Sequence, residues 1–449
     1  MKVHLIAIGG SAMHNLALAL HHKGFAVTGS DDAIFEPSKS RLSSFGLLPD
    51  TMGWYTEKIH DGLDAVILGM HARIDNPELK RAQALNIPIY SYPEYIYNQS
   101  IDKKRVVIGG SHGKTSITAM ILHVLHYFNV NCDYMVGAKL DGFDTMVRLT
   151  KDAPIIILEG DEYLSSPIDR RPKFHWYKPH IAILSGIAWD HINVFPTFEN
   201  YVQQFRIFKN DVKEVLFYCS DDKVLASLCR EESSCRVEEY SIPEHTIENG
   251  VTYLRSKNDK VKLQIFGEHN LQNLNAARLI CQELSISESN FYLAISSFKG
   301  ASKRLELVKK GEASAIYKDF AHSPSKLKAT STAMKNQFTD RTLVACMELH
   351  TFSSLNKDFL KEYSGAMDTP DKAIVYFSKS AIAHKKLEDI SVEQVHAAFD
   401  RQDLMVFTDS EDLKDYLKSL EWKDKNLLMM SSGNFDGIDF NALAEKLLS

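Results

Sequence analysis

The residues best suited to chemistry lie together at Gly110-Ser111-His112-Gly113-Lys114-Thr115, with Ser116 next in the chain. Glycines let backbone N–H groups approach phosphate oxygens, and a helix N-terminus opposes their charge. A lysine suits the β- and γ-phosphates, and a hydroxyl suits Mg²⁺. All these parts occur in the order a phosphate cradle requires, although the spacing before Gly113-Lys114 is shorter than in the usual loop. Nucleotide binding is therefore favoured over a coincidental glycine turn. Two polar clusters suit a hard cation there: Glu159-Gly160-Asp161-Glu162 after the run PIIIL, and Asp190-His191 after HIAILSGI. Mg²⁺ takes oxygen ligands and keeps several waters, so few side chains suffice beside the phosphates. Gly9-Gly10 follows the first apolar run and Asp31 the second, without GxGxxG. That disfavours an NAD site and fits a turn through which a diphosphate approaches a helix N-terminus.

Regular elements must carry these groups. VHLIAIG, AVTGSD, DAVILG and IPIYSY read as strands between amphipathic stretches such as PELKRAQALN, and a polar break follows at Asn98 to Lys104. RVVIGG opens a second set that includes PIIILEG and HIAILSGI, then a small antiparallel element between Val251 and Phe266 and a helix near Asn270. From about Ala301 the pattern restarts with SAIYKDF, RTLVACMEL, KAIVYF and NLLMMSSG. The expectation is α/β, with three domains at 1–101, 102–300 and 301–449, each on a largely parallel sheet flanked by helices.

Composition narrows the function classes. A hydrophobic fraction of 44% and a charged fraction of 24% exclude disorder, and a net charge of −6 gives no reason to expect nucleic acid or an anionic membrane. No apolar run approaches the roughly 20 residues that span a bilayer. The six cysteines (Cys132, Cys219, Cys229, Cys235, Cys281 and Cys346) show no zinc spacing and read as reduced thiols. A cytoplasmic protein is expected.

Taken in order, these segments resemble the Mur ligase family. GSHGKTS is similar to the family's GT-x-GKT loop, and EGDE (Glu159 to Glu162), WDH (Trp189 to His191) and GEHNLQNLNAA (Gly267 to Ala277) follow. Lys303-Arg304-Leu305-Glu306 and Asp319-Phe320-Ala321-His322-Ser323-Pro324 resemble two later family segments. The resemblance implies a three-domain ligase with a central P-loop ATPase-like domain, using ATP and Mg²⁺ to join an amine to UDP-N-acetylmuramate. It implies ATP binding by Gly110 to Ser116, with Asn270 and Asn273 at the adenine and Asp319 on the nucleotide. Lys114, Glu159, His191 and Arg304 would act in catalysis, with Thr115, Glu159 and His191 on metal and Arg304 reaching the γ-phosphate. The sugar nucleotide would lie on Gly10, Ser11, Ala12, Met13 and Asp31, with His71 and Asn76 as further candidates. The C-terminal domain would read the amine, through His322, Glu348 and His350.

Two branches of the family fit. EGDEY, RRPKFHWYKP (Arg170 to Pro179), KRLEL and MSSGNFDGI (Met430 to Ile438) favour the branch that attaches the tripeptide L-alanyl-γ-D-glutamyl-meso-diaminopimelate, while ELHTF at Glu348 is similar to the branch that attaches L-alanine. The chain departs from the family at His14-Asn15 beside the diphosphate turn, at Lys318 and at Ser323, and no lysine is assigned a carbamylated, metal-binding role. Two rival classes remain. A nicotinamide oxidoreductase leaves Gly110 to Thr115 unexplained, and a nucleotide-binding protein without chemistry leaves Lys114, Glu159, His191 and Arg304 unexplained.

Overall fold

A computed structural model describes residues 1–189, 194–256, 260–302, 304–385 and 387–448. They form two compact units: Met1–Ser241 with Gln272–Ile295, and Ile242–Leu271 with Ser296–Ser449.

The first unit holds two sheets. β1 (Lys2–Ile6), β2 (Ala26–Ser30), β3 (Ala65–Leu68) and β4 (Ile89–Ser91) pair in parallel in the order β2-β1-β3-β4. Helix α1 (Ser11–His22) leaves β1 through Gly9-Gly10, and α2 (Ser38–Ser44) follows β2. No side chain caps the start of α1, so its first N–H groups stay open. Chain order reverses between β1 and β3, and such switch points leave a crevice at the strand carboxyl ends.

The larger sheet contains β5 (Lys104–Gly109), β6 (Cys132–Met135), β7 (Val147–Arg148), β8 (Ile155–Glu159), β9 (Ile181–Leu184), β10 (Val215–Cys219) and β11 (Arg236–Tyr240). Its order is β11-β10-β9-β5-β8-β6-β7, and only the β7 edge pair is antiparallel. β5 lies at the centre with Val106, Val107 and Ile108 fully buried, as expected for a strand covered on both faces. Register sets Ile108 opposite Glu159 and Gly109 opposite Leu184, so β5, β8 and β9 end level with one another. Helix α3 (Lys114–Tyr127) starts at that edge, and its apolar residues are buried around most of its circumference.

The second unit carries a three-stranded antiparallel sheet, β12 (His245–Glu248), β13 (Val251–Arg255) and β14 (Lys260–Lys262). It also carries β15 (Glu306–Lys310), β16 (Ala315–Asp319), β17 (Thr342–Leu349), β18 (Lys372–Phe377), β19 (Met405–Phe407) and β20 (Lys425–Met430), ordered β15-β16-β20-β17-β18-β19. β15 is antiparallel and the others are parallel. Pairing of Asp319 with Met430 levels the carboxyl ends of β16 and β20, and β17 continues past its Met347–Met430 pair to Leu349. Helix α4 (Glu268–Glu283) runs through the change of unit at Leu271 and Gln272. The six cysteines are free thiols, and among the described residues no helix is long and apolar enough to cross a membrane.

Candidate functional site

The turn after β5 is built around two left-handed glycines, Gly110 at φ +125° and Gly113 at φ +76°. At Gly113 a Cβ would run into the Asn273 Oδ1, so both conformation and space require glycine. Ser111 N–H donates to the Gly186 carbonyl at 3.0 Å, and Ser185 Oγ donates to the Gly109 carbonyl at 3.2 Å and to that of His112. The His112 ring bonds the Ser111 carbonyl at 2.8 Å, and Ser116 is buried in the first turn of α3. β9 thus braces the loop from one side.

Lys114 Nζ donates to the Gly110 carbonyl at 2.7 Å and to Glu162 Oε2 at 2.6 Å. Glu162 also accepts from the Tyr201 hydroxyl at 3.1 Å, and Tyr201 pairs with Ser111 Oγ at 2.8 Å. Burial acts to lower the lysine pKa, but Glu162, Asp161 and Glu159 outweigh it and hold it above its usual value, so Lys114 is a cation. Thr115 Oγ1 donates to Glu159 Oε1 at 2.8 Å, while Glu159 Oε2 accepts from Gly137 N–H at 2.7 Å. A hydroxyl and a carboxylate therefore meet beside a helix N-terminus and a fixed cation. Mg²⁺ fits this oxygen pair, because it is commonly held by one or two carboxylates plus phosphate oxygens. No cluster of three His, Cys, Asp or Glu that could hold a metal occurs among the described residues. His191, expected on a second metal, lies outside the described residues, as does Asp190.

Around β1, Gly10, Met13, Asp31, His71 and Asn76 line a cavity of about 430 Å³ with Trp54 and others, while Ser11 and Ala12 stand outside its lining. Asp31 shapes the turn: Oδ2 accepts from Gly9 N–H at 2.7 Å and Oδ1 from Asp32 N–H at 2.9 Å. Burial raises its pKa, against the lowering effect of the Gly9 N–H. Asn76 is also committed, its Oδ1 capping a helix by accepting from Glu78 and Leu79 N–H at 2.9 and 3.2 Å. His71 is exposed, as are Ser11 and Ala12 at the start of α1.

In the second unit Asn270 and Arg304 line a cavity of about 230 Å³ with Lys262, Lys299, Phe266 and Tyr317. Asn270 Nδ2 donates to the Phe266 carbonyl at 2.9 Å, and the Arg304 guanidinium lies 4.8 Å from the Phe320 ring centroid. Asp319 accepts from Leu305 and Ala321 N–H, both at 2.7 Å; burial raises its pKa, with Arg304 and these N–H groups opposing. His322 bonds the Phe320 carbonyl at 2.8 Å. Glu348, only 1% exposed, accepts from Ser431 Oγ and from Phe435 N–H at 2.9 Å, with His350 Nδ1 3.4 Å away. Lys318, one of the departures, pairs with Glu306 at 2.8 Å.

The structure thus gathers Gly110 to Ser116, Glu159 and Asn273 in the first unit. It gathers Asn270, Arg304 and Asp319 in the second, with Glu348 near the carboxyl end of β17 and His322 and His350 in the segments that follow β16 and β17. Sequence reasoning missed Tyr201, which joins Ser111 to Glu162 from a distant helix without any local motif. It also gave no separate role to Glu162, although the EGDE segment contains it.

Sheet order, phosphate loop and strand-end carboxylate define an α/β enzyme equipped to handle a nucleotide's phosphates. A profile of the Mur ligase middle domain matches residues 108–281, and one described as Mur ligase family, catalytic domain, matches residues 2–101. A UDP-N-acetylmuramate–L-alanine ligase from Clostridium kluyveri is 30% identical over 390 residues, 83% of this chain and 82% of that protein. The solved murein peptide ligase from Psychrobacter arcticus superposes with a TM-score of 0.67 at 21% identity, covering 100% of this chain and 98% of the other. The UDP-N-acetylmuramate–alanine ligase from Thermotoga maritima gives 0.73 at 18% identity, with the same 100% and 98% coverage. The chain belongs to the Mur ligase family. It is an ATP-dependent, ADP-forming ligase with the three-domain α/β architecture of that family.

Proposed function

We propose that the chain joins an amine to the lactyl carboxylate of UDP-N-acetylmuramate in the cytoplasm, with L-alanine as the amine. The observation that carries the ligation is the convergence of Lys114, Thr115 and Glu159 at one helix N-terminus. The choice of L-alanine is supported by the relatives, such as that of Clostridium kluyveri, and replaces the tripeptide favoured by the sequence segments. The tripeptide remains a second reading, supported by those segments and by the full-length likeness to a murein peptide ligase.

In this reading residues 1–101 hold the sugar nucleotide, 102–300 hold ATP and 301–449 receive the amine. The diphosphate lies at the open N-terminus of α1, near Gly10, Ser11 and Ala12, where N–H groups and helix dipole favour anions. Lys114 exchanges Glu162 for the β/γ-phosphates; both partners are anionic, so the cation stays neutralised throughout. Thr115 and Glu159 would hold Mg²⁺, which supplies positive charge against the phosphate oxygens when bound. The first step brings a carboxylate to the γ-phosphate, so neutralisation and positioning dominate the barrier. The carboxylate oxygen bonds to phosphorus and ADP departs, giving an acyl phosphate. The amine then attacks the acyl carbon, loses a proton and expels phosphate, leaving the amide. Arg304 and Asp319 would serve the nucleotide, as the family resemblance implies, and Glu348 with His350 would orient the amine.

The test is ADP release from ATP, Mg²⁺ and UDP-N-acetylmuramate with L-alanine or the tripeptide offered separately. Release with L-alanine alone is expected, and Lys114→Met abolishes it. Release with the tripeptide alone would move the protein to the second reading, and silence with both from folded protein would refute ligation of either amine.

A further inference from the structure

His14 and Asn15 depart from the small residues expected beside the diphosphate turn, and neither lines the cavity there. Burial lowers the His14 pKa, and the ring is tied to the Gly10 carbonyl at 3.0 Å and Ser38 Oγ at 2.9 Å, which makes it a neutral prop for the turn. Asn15 is fully buried, one turn into α1. Its Oδ1 accepts from Met146 N–H at 2.9 Å and from Arg41 Nη1 at 3.0 Å. Its Nδ2 donates to the Ser11 carbonyl at 2.8 Å and to Met146 Sδ at 3.3 Å. From α2, Arg41 also donates Nη2 to the Asp144 carbonyl at 2.7 Å. The helix that presents the phosphate turn is thus fastened to the segment just before β7.

The connection continues into the catalytic edge. The Met146 carbonyl accepts from Val136 N–H at 3.0 Å, and the next N–H, that of Gly137, donates to Glu159 Oε2 at 2.7 Å. Glu159 Oε1 in turn accepts from Thr115. Gly137 fits tightly, since a Cβ there would stand 2.8 Å from Glu159 Oε1. A continuous run of hydrogen bonds and backbone thus links α1 to the carboxylate assigned to Mg²⁺.

We propose that Asn15 is a positioning residue that couples occupation of the α1 phosphate turn to the placement of Glu159, so that the sugar nucleotide and the Mg²⁺-nucleotide bind cooperatively. The proposal rests on the assignment of those two ligands given above. Linkage makes the effect reciprocal, and couplings of this kind range from about fivefold to about 150-fold in affinity. Asn15→Leu removes the oxygen that accepts from Met146 N–H and Arg41 Nη1, whereas Asn15→Asp keeps that acceptor and gives up only the Nδ2 donor to the Ser11 carbonyl and Met146 Sδ.

The experiment is calorimetric titration of UDP-N-acetylmuramate into the full chain, with and without Mg²⁺ and a non-hydrolysable ATP analogue. Wild type is expected to bind about tenfold more tightly with the nucleotide present, Asn15→Asp to keep most of that gain, and Asn15→Leu to gain less than about twofold. If Asn15→Leu does not fold, Arg41→Met severs the strap to Asp144, and the gain should fall to about threefold. An undiminished gain in the Leu or Met variant, or none in wild type, overturns the coupling while leaving the proposed function standing. Failure of wild type to bind UDP-N-acetylmuramate overturns that function and the coupling with it.

Discussion

Replacing Lys114 by methionine removes one member of a buried ion pair. The lysine side chain is 14% exposed, Glu162 is 2% exposed, and the two lie 2.6 Å apart. Deleting one partner of such a pair strands the other charge at a cost of roughly 3–5 kcal/mol. The Tyr201 hydroxyl still reaches Glu162 at 3.1 Å and softens that loss. We expect Lys114→Met to destabilise the first unit by about 2–4 kcal/mol, and Lys114→Met/Glu162→Gln, with no stranded charge, to recover at least about half of it. For a unit of this size the single variant's unfolding midpoint should fall by roughly 5–12 °C. Thermal melts of wild type, both single variants and the double variant complete the cycle. Both variants lacking Lys114 should lose ADP release, so activity and stability separate in the double variant. A Lys114→Met protein as stable as wild type, or a double variant worse than the sum of its singles, would refute the claim that Glu162 stores the lysine's charge.

Two further outcomes follow from the second unit. Burial holds the Asp319 carboxyl above its usual 3.8, so the fold favours the protonated form; that contribution is present below 3.8 and lost as pH rises through the folded value. Asp319→Asn should therefore gain on wild type in unfolding midpoint as pH is raised from about 4 to 7, and parallel curves would contradict the assignment. At Gly433 a Cβ would stand 2.7 Å from His350 Cγ and 2.8 Å from Glu348 Oε2. Gly433→Ala is thus expected to cost about 1–3 kcal/mol and to raise the KM for the amine while leaving that for ATP unchanged; an unaltered amine KM would remove Glu348 and His350 from that role.

Legibility in the sequence followed distance along the chain. Gly110 to Thr115 are consecutive, and the loop's chemistry depends on the order of its residue types, so the amino-acid string alone displays the motif. Glu159 was readable because a parallel strand's carboxyl end faces the same edge as its neighbour's. The buried strands β1, β3, β5, β8, β9, β16, β17, β18 and β20 are legible as apolar runs, whereas β10, equally buried, goes unread. β7, β11, β12, β15 and β19 are not legible, because short or partly exposed strands carry no such run. The Tyr201–Glu162 and Asn15–Met146 bonds join residues far apart in sequence, and no local pattern encodes them. Asn76 lines the cavity around β1 while its side-chain oxygen caps a helix, a use that its place in the sequence does not display.

The central claim is that a carboxylate oxygen takes the γ-phosphoryl group of ATP before the amine attacks the acyl carbon. UDP-N-acetylmuramate labelled with ¹⁸O in its lactyl carboxylate tests it most directly, with the released phosphate read by mass spectrometry during turnover with the accepted amine. Transfer of a single ¹⁸O to phosphate for every amide formed is the predicted result. Unlabelled phosphate released together with ADP would contradict it, because water rather than the carboxylate would then have taken the phosphoryl group.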